Sequence, residues 1–126
     1  MKTIISTDQA PAAIGTYSQA VIHGDVLYVS GQIPLVPTSM ELVEGDISAQ
    51  IAQVFDNLAG VISAAGAELD DAIKFTVYLT DLGNFPLVNE AMAERLKEPY
   101  PARAAIEVSA LPKGAQVEVD AIVALG

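Results

Sequence analysis

Cysteine and tryptophan are absent, histidine occurs once, and only six of the 126 residues are lysine or arginine. Without cysteine there is no disulfide, no thiolate metal site and no cysteine nucleophile. A reducing compartment is compatible with that absence, and the cytoplasm is the expected location. Sixteen Asp and Glu residues outweigh the cations and leave a net charge of −10. Phosphate backbones repel such a chain, so nucleic acid is not an expected partner. No apolar run approaches the ~18 residues of a membrane span, and no membrane association is expected. The first residues, Met1 to Asp8, turn polar too early for a signal peptide. Gly-rich phosphate loops, HExxH and GxSxG patterns, internal repeats and low-complexity segments are all missing. Nothing in the chain asks for a metal or a cofactor.

Apolar residues make up 52% of the chain. That is a large share for one short domain, here spanning 1–126, and it implies apolar surface buried against other subunits. Met1 to Ile5 reads as a short strand and Asp8 to Gly15 as a loop. Tyr17 to His23 and Val26 to Gln32 flank Gly24-Asp25, a two-residue hairpin signal. The tight turn sets His23 opposite Val26, Val21 opposite Tyr28, Gln19 opposite Ser30 and Tyr17 opposite Gln32. Ala20, Ile22, Leu27 and Val29 then share one face, and Tyr17, Gln19, Tyr28, Ser30 and Gln32 the other. After a loop from Pro34 to Gly45, a helix is predicted from Asp46 to Ala65. Its stripe is Ile47, Ile51, Val54, Phe55, Leu58, Val61 and Ile62, with Asp46 as N-cap and Gly66 closing its end.

Asp71 to Thr80 alternates as a strand, with Ile73, Phe75, Val77 and Leu79 on one side. Asn84 is placed to cap a second helix with inner residues Phe85, Val88, Met92 and Leu96, ended by Pro99 and Pro101. Two further strands follow. In the first, Ala104, Ile106 and Val108 form the apolar face; in the second, Val117, Val119, Ala121 and Val123. The order β-β-β-α-β-α-β-β predicts an α+β fold of two layers, with two helices on one face of a six-stranded sheet. This reading puts Tyr17, Ser30, Arg103 and Glu118 together on the uncovered face, which is then expected to pack in an oligomer.

Pro101-Ala102-Arg103 opens a strand with a guanidinium behind a proline, and Glu118 lies on the strand after the Leu111-Pro112-Lys113-Gly114 turn. Together they outline a small anion site. On the residues alone, Arg103 reads first as a surface ion-pair partner and Glu118 equally as a solvated strand carboxylate, with Glu107 and Asp120 on the same face. Ser30 has no nearby base in sequence, which favours a hydrogen-bonding role over a nucleophilic one. His23 reads as a solvated turn residue, Asn89 as a possible brace, and Met92 and Leu96 as core.

Several segments carry a resemblance: Ala10-Pro11-Ala12-Ala13-Ile14-Gly15 with Tyr17, Val29-Ser30-Gly31-Gln32-Ile33-Pro34, Asp56-Asn57-Leu58, Ala64-Ala65-Gly66, Asp81-Leu82, Val88-Asn89, Pro101-Ala102-Arg103, Glu107-Val108, Leu111-Pro112 and Val117-Glu118. In this order and over this length, they resemble the RidA/YjgF family of reactive-intermediate (enamine/imine) deaminases, also known as L-PSP endoribonucleases. The resemblance implies a chorismate-mutase-like homotrimer with ligand clefts between subunits. It also implies hydrolysis of 2-imino acids, such as 2-iminobutanoate and 2-iminopropanoate, to 2-oxo acids and ammonia. In that reading Arg103 holds the substrate carboxylate and Glu118 activates water. Tyr17, Ser30 and Asn89 line the cleft, and Ala105 contributes its backbone carbonyl. Ala105 stands where the family often has cysteine, Thr16 where it has proline, and Met92 and Leu96 where aromatics are common. Two other functions stay open: a non-catalytic trimer that binds small carboxylates, and an RNA-directed activity, which the acidic balance disfavours.

Overall fold

The computed structural model describes all residues, 1–126. Six strands form one mixed sheet: β1 (Thr3–Ile5), β2 (Ala20–His23), β3 (Val26–Gln32), β4 (Ala72–Leu79), β5 (Ala102–Glu107) and β6 (Val117–Ala124), in the order β1-β2-β3-β6-β4-β5. Only β4 and β5 pair in parallel. Because β3 and β4 both run antiparallel to β6, β3 is parallel to β4 across it. The two helices, α1 (Ile47–Ala64) and α2 (Phe85–Arg95), are therefore both crossovers between parallel strands stepping the same way along the sheet. Such connections are right-handed, which puts both helices on one face and leaves the other uncovered.

Helix α1 starts and stops as its sequence predicts. The Asp46 side chain accepts from Ala49 N, and Gly66, at φ 81°, follows the last turn with its N–H bonded to Ser63 O. Its buried stripe, Ile51, Val54, Phe55, Leu58, Val61 and Ile62, shares one core with Leu27 and Val29 of β3, Phe75, Val77 and Leu79 of β4 and the odd-numbered residues of β6. Phe55 and Phe75 meet edge to face at 5.9 Å. Asn84 is the residue before α2, but its side chain makes no capping bond. The preceding turn uses Asp81 instead, which accepts from Gly83 N. Arg95 ties α2 to α1 through Asp56 at 2.8 Å and lies over the Phe55 ring.

The hairpin register is as expected from His23↔Val26 to Val21↔Tyr28, and Ser30 N bonds Gln19 O. The strands depart from the sequence reading at four places. First, β2 begins at Ala20, so Tyr17 belongs to a loop. Second, a bulge between Val29 and Gln32 pairs Gln32 with Val119 and turns it to the helix side, where it is buried. Third, a bulge at Ile73 ejects that side chain from the core. Fourth, the register of β5 on β4 is Phe75↔Arg103, Val77↔Ala105 and Leu79↔Glu107. Paired residues share a face, so Arg103, Ala105 and Glu107 point to the helix side, and Ile106 lies on the uncovered face. The expectation that Arg103 and Glu118 share the open face is corrected by this register.

Candidate active site

The loop from Pro11 to Tyr17, the β3 bulge, the 3-10 turn Pro112–Gly114 and β6 enclose a cavity of about 480 Å3. Gln19, buried beneath, holds the base of the loop. Its amide donates to the carbonyls of Thr7, Ala10 and Pro11, and its oxygen accepts from Thr7 N. Tyr17, Ser30 and Glu118 all line this cavity, so three of the predicted site residues do come together. The Ser30 hydroxyl donates to Ser18 O at 2.6 Å. That committed proton leaves oxygen lone pairs for a ligand, which suits a hydrogen-bonding wall better than a nucleophile.

Glu118 stands opposite Tyr78 on β4, and its carboxylate lies directly over Gly31. A Cβ at residue 31 would collide with that carboxylate, so the bulge glycine makes the space in which Glu118 sits. Gly31 is a site residue the sequence reading missed, although an isolated glycine inside a strand pattern signals a bulge or a close approach. Burial first, and the charge of Asp120 second, hold the Glu118 carboxyl above its usual range. A half-buried carboxylate with raised proton affinity is the form a general base takes.

Arg103 lies elsewhere. Its terminal nitrogen Nη1 donates to Asn89 Oδ1 at 2.8 Å and contacts Met92 Sδ at 3.8 Å, and the guanidinium stacks 4.6 Å above the Phe85 ring. These partners, all on α2, are neutral. No carboxylate lies within ion-pair distance, which removes the surface ion pair as an account of this residue. Nε and Nη2 keep their donors free of any partner in the chain. This is the two-pronged edge that fits a carboxylate. Asn89 is thus a brace for the arginine, and Met92, read from sequence as core, also contacts it. A second cavity of about 430 Å3 opens beside them, walled by Tyr100 and Pro101. Ala105, two residues along β5, is half-buried against the core.

Arg103 and Glu118 do not meet within one chain. They are two strand spacings apart across the sheet and three residues apart along it, on the order of 14 Å between Cα atoms and on opposite faces. The chain carries two half-sites, one with a carboxylate fork and one with a base.

Known proteins similar to this chain are found along its whole length. A 2-iminobutanoate/2-iminopropanoate deaminase of Homo sapiens is 41% identical over 126 residues, covering 100% of this chain and 92% of its own. RidA from the Antarctic bacterium Psychrobacter superimposes with a TM-score of 0.93 at 52% identity, over 98% of this chain and 99% of that one. TdcF of E. coli, solved with bound serine, does so with a TM-score of 0.90 at 37% identity, over 98% and 99%. Residues 7–125 match the family described as Endoribonuclease L-PSP. With its six-stranded sheet, two helices on one face and full-length agreement with RidA structures, the chain belongs to the RidA/YjgF (Endoribonuclease L-PSP) family.

Proposed function

We propose that the protein is a cytoplasmic homotrimer that hydrolyses reactive 2-imino acids, such as 2-iminobutanoate and 2-iminopropanoate, to 2-oxo acids and ammonia. Each cleft would form where Arg103 of one copy meets Glu118 of its neighbour. The observation that carries this reading is the full-length match to a human protein named for that activity. It is taken with a half-buried carboxylate placed to accept a proton in a cavity. The substrate's carboxylate would seat on the free edge of Arg103, with Asn89 holding the guanidinium. Its iminium carbon is already electrophilic and needs no metal or cofactor. Glu118 takes a proton from water as the oxygen bonds to that carbon. Glu118 returns that proton to the departing nitrogen, the C–N bond breaks as the new hydroxyl gives its own proton to Glu118, and 2-oxo acid and ammonia leave, with ammonia carrying that last proton away as ammonium. The family's L-PSP endoribonuclease name suggests RNA, but a net charge of −10 opposes binding a polyanion. The serine bound to TdcF favours one second reading, a passive small-carboxylate binder.

The two readings separate in one assay. An amino-acid oxidase or threonine dehydratase supplies imines with a panel of side chains, and their decay is followed. Wild type should accelerate it, and Arg103→Ala should abolish the effect, with Arg103→Lys recovering little. Glu118→Gln should lower kcat by roughly 10²-fold while 2-oxo acid binding persists. A passive binder would leave wild type and Glu118→Gln equally inert. Full activity in Arg103→Ala would place the site elsewhere.

A further inference from the structure

Glu118 and Asp120 are the only carboxylates on the open face of the three central strands β3, β6 and β4. They stand two residues apart on β6, about 7 Å along the strand, with side chains on the same side. Tyr78 lies directly opposite Glu118, yet its hydroxyl reaches diagonally to Asp120 Oδ2 at 3.0 Å. The hydroxyl of the residue paired with Glu118 across the strands is thereby given to Asp120. Asp120 is fixed in place by that bond, while Glu118 receives no hydrogen bond within the chain and keeps its lone pairs for water.

We propose that Asp120, held by the Tyr78 hydroxyl, is a positioning residue that strengthens the hold of Glu118 on its proton beyond what burial does, and so raises the pH below which the site stops activating water. This rests on Glu118 being the base in the reading above. A nearby negative charge raises a carboxyl's proton affinity; burial raises that of Glu118 most, and the charge of Asp120 adds to it. The other charged or titratable groups facing this region do not substitute for Asp120. Lys74 on β4 sits diagonal to Asp120 and forms no ion pair with it. Tyr28 on β3 lies opposite Ile122. Tyr17 and Lys113 reach the cavity from loops. On β5, Ile106 faces Tyr78, and Glu107 is on the helix side, bonded to Leu82 N.

The test has two arms. In the first, the pH profile of kcat/KM is measured for wild type, Asp120→Asn and Asp120→Glu. Asp120→Asn should move the acidic limb to lower pH, and Asp120→Glu, which keeps the charge, should restore it toward the wild-type position. In the second, the Glu118 side-chain carboxyl is titrated by 13C NMR, assigned by its loss in Glu118→Gln. Its midpoint should fall in Asp120→Asn and return toward the wild-type value in Asp120→Glu. Asp120→Ser serves as the second neutral variant if Asp120→Asn fails to fold. An unchanged midpoint in the folded neutral variant overturns the proposal. A protein with no deaminase activity would defeat the functional reading in the first arm, while the NMR arm would still judge the coupling.

Discussion

Gly31 shows how one missing side chain can define a catalytic group. The Glu118 carboxylate occupies the volume a Cβ would take, so Gly31→Ala must push the carboxylate out of its place or shift the strand. The expected result is a folded protein whose kcat falls by roughly 10²-fold, the worth of a well-placed general base, with 2-oxo acid binding retained. Circular dichroism alongside steady-state kinetics checks it; a variant with wild-type kcat would contradict it. Glu118 also has a stability consequence. Its proton is held more tightly in the folded chain than in the unfolded one. Between the unfolded and the raised folded value the native state binds the extra proton, so this group makes stability fall as pH rises through that window. Glu118→Gln should therefore be more stable than wild type at neutral pH, and the difference should vanish in acid below the ordinary carboxylate range. Urea midpoints at two pH values measure this, and equal midpoints at neutral pH would refute it. At this scale Glu118 and Ser30 were legible from strand alternation and resemblance, and Tyr17, which reaches the cavity from a loop, from the resemblance alone. The open fork of Arg103 was not, because only the structure reveals that its partners are neutral.

The elements explain which faces could be read. Helix α1 was legible end to end, since a cap, a closing glycine and a long apolar stripe agree. Strand β5 was misread because Arg103-Ala104-Ala105-Ile106 has no clear apolar period. Its face is set by parallel pairing with β4, a long-range contact that local alternation does not encode. The bulges at Ile73 and after Val29 each shift a register by one residue, which reverses every side chain beyond them. Gln19 was likewise assigned to a polar face, when it instead anchors the cavity loop from a buried position. Gln19→Leu would strand three carbonyls and the Thr7 N–H without that amide. At about 1–3 kcal/mol for each buried group left unsatisfied, chemical denaturation should show a loss of at least about 2 kcal/mol. A loss under 0.5 kcal/mol, on the order of an ordinary surface change, would show that the loop does not depend on Gln19.

At the scale of the whole molecule, the uncovered sheet face and the two half-sites point the same way. Tyr28, Ile73 and Ile106 are exposed on or beside that face, an apolar surface of the kind that subunit contacts cover. No helix is long and apolar enough to cross a membrane. A fork and a base on opposite faces of one sheet can act on one small substrate only if neighbouring copies bring them together. That arrangement was implied by the resemblance, but the wrong face for Arg103 hid the reason for it. The decisive measurement is subunit complementation. Arg103→Ala and Glu118→Gln chains, each inactive alone, are unfolded together in equal amounts and refolded as mixed oligomers. If each cleft takes its arginine from one copy and its glutamate from the next, about a quarter of clefts regain both, and about a quarter of wild-type deaminase activity returns. A mixture as inactive as its two parents would mean that Arg103 and Glu118 do not act across a subunit boundary.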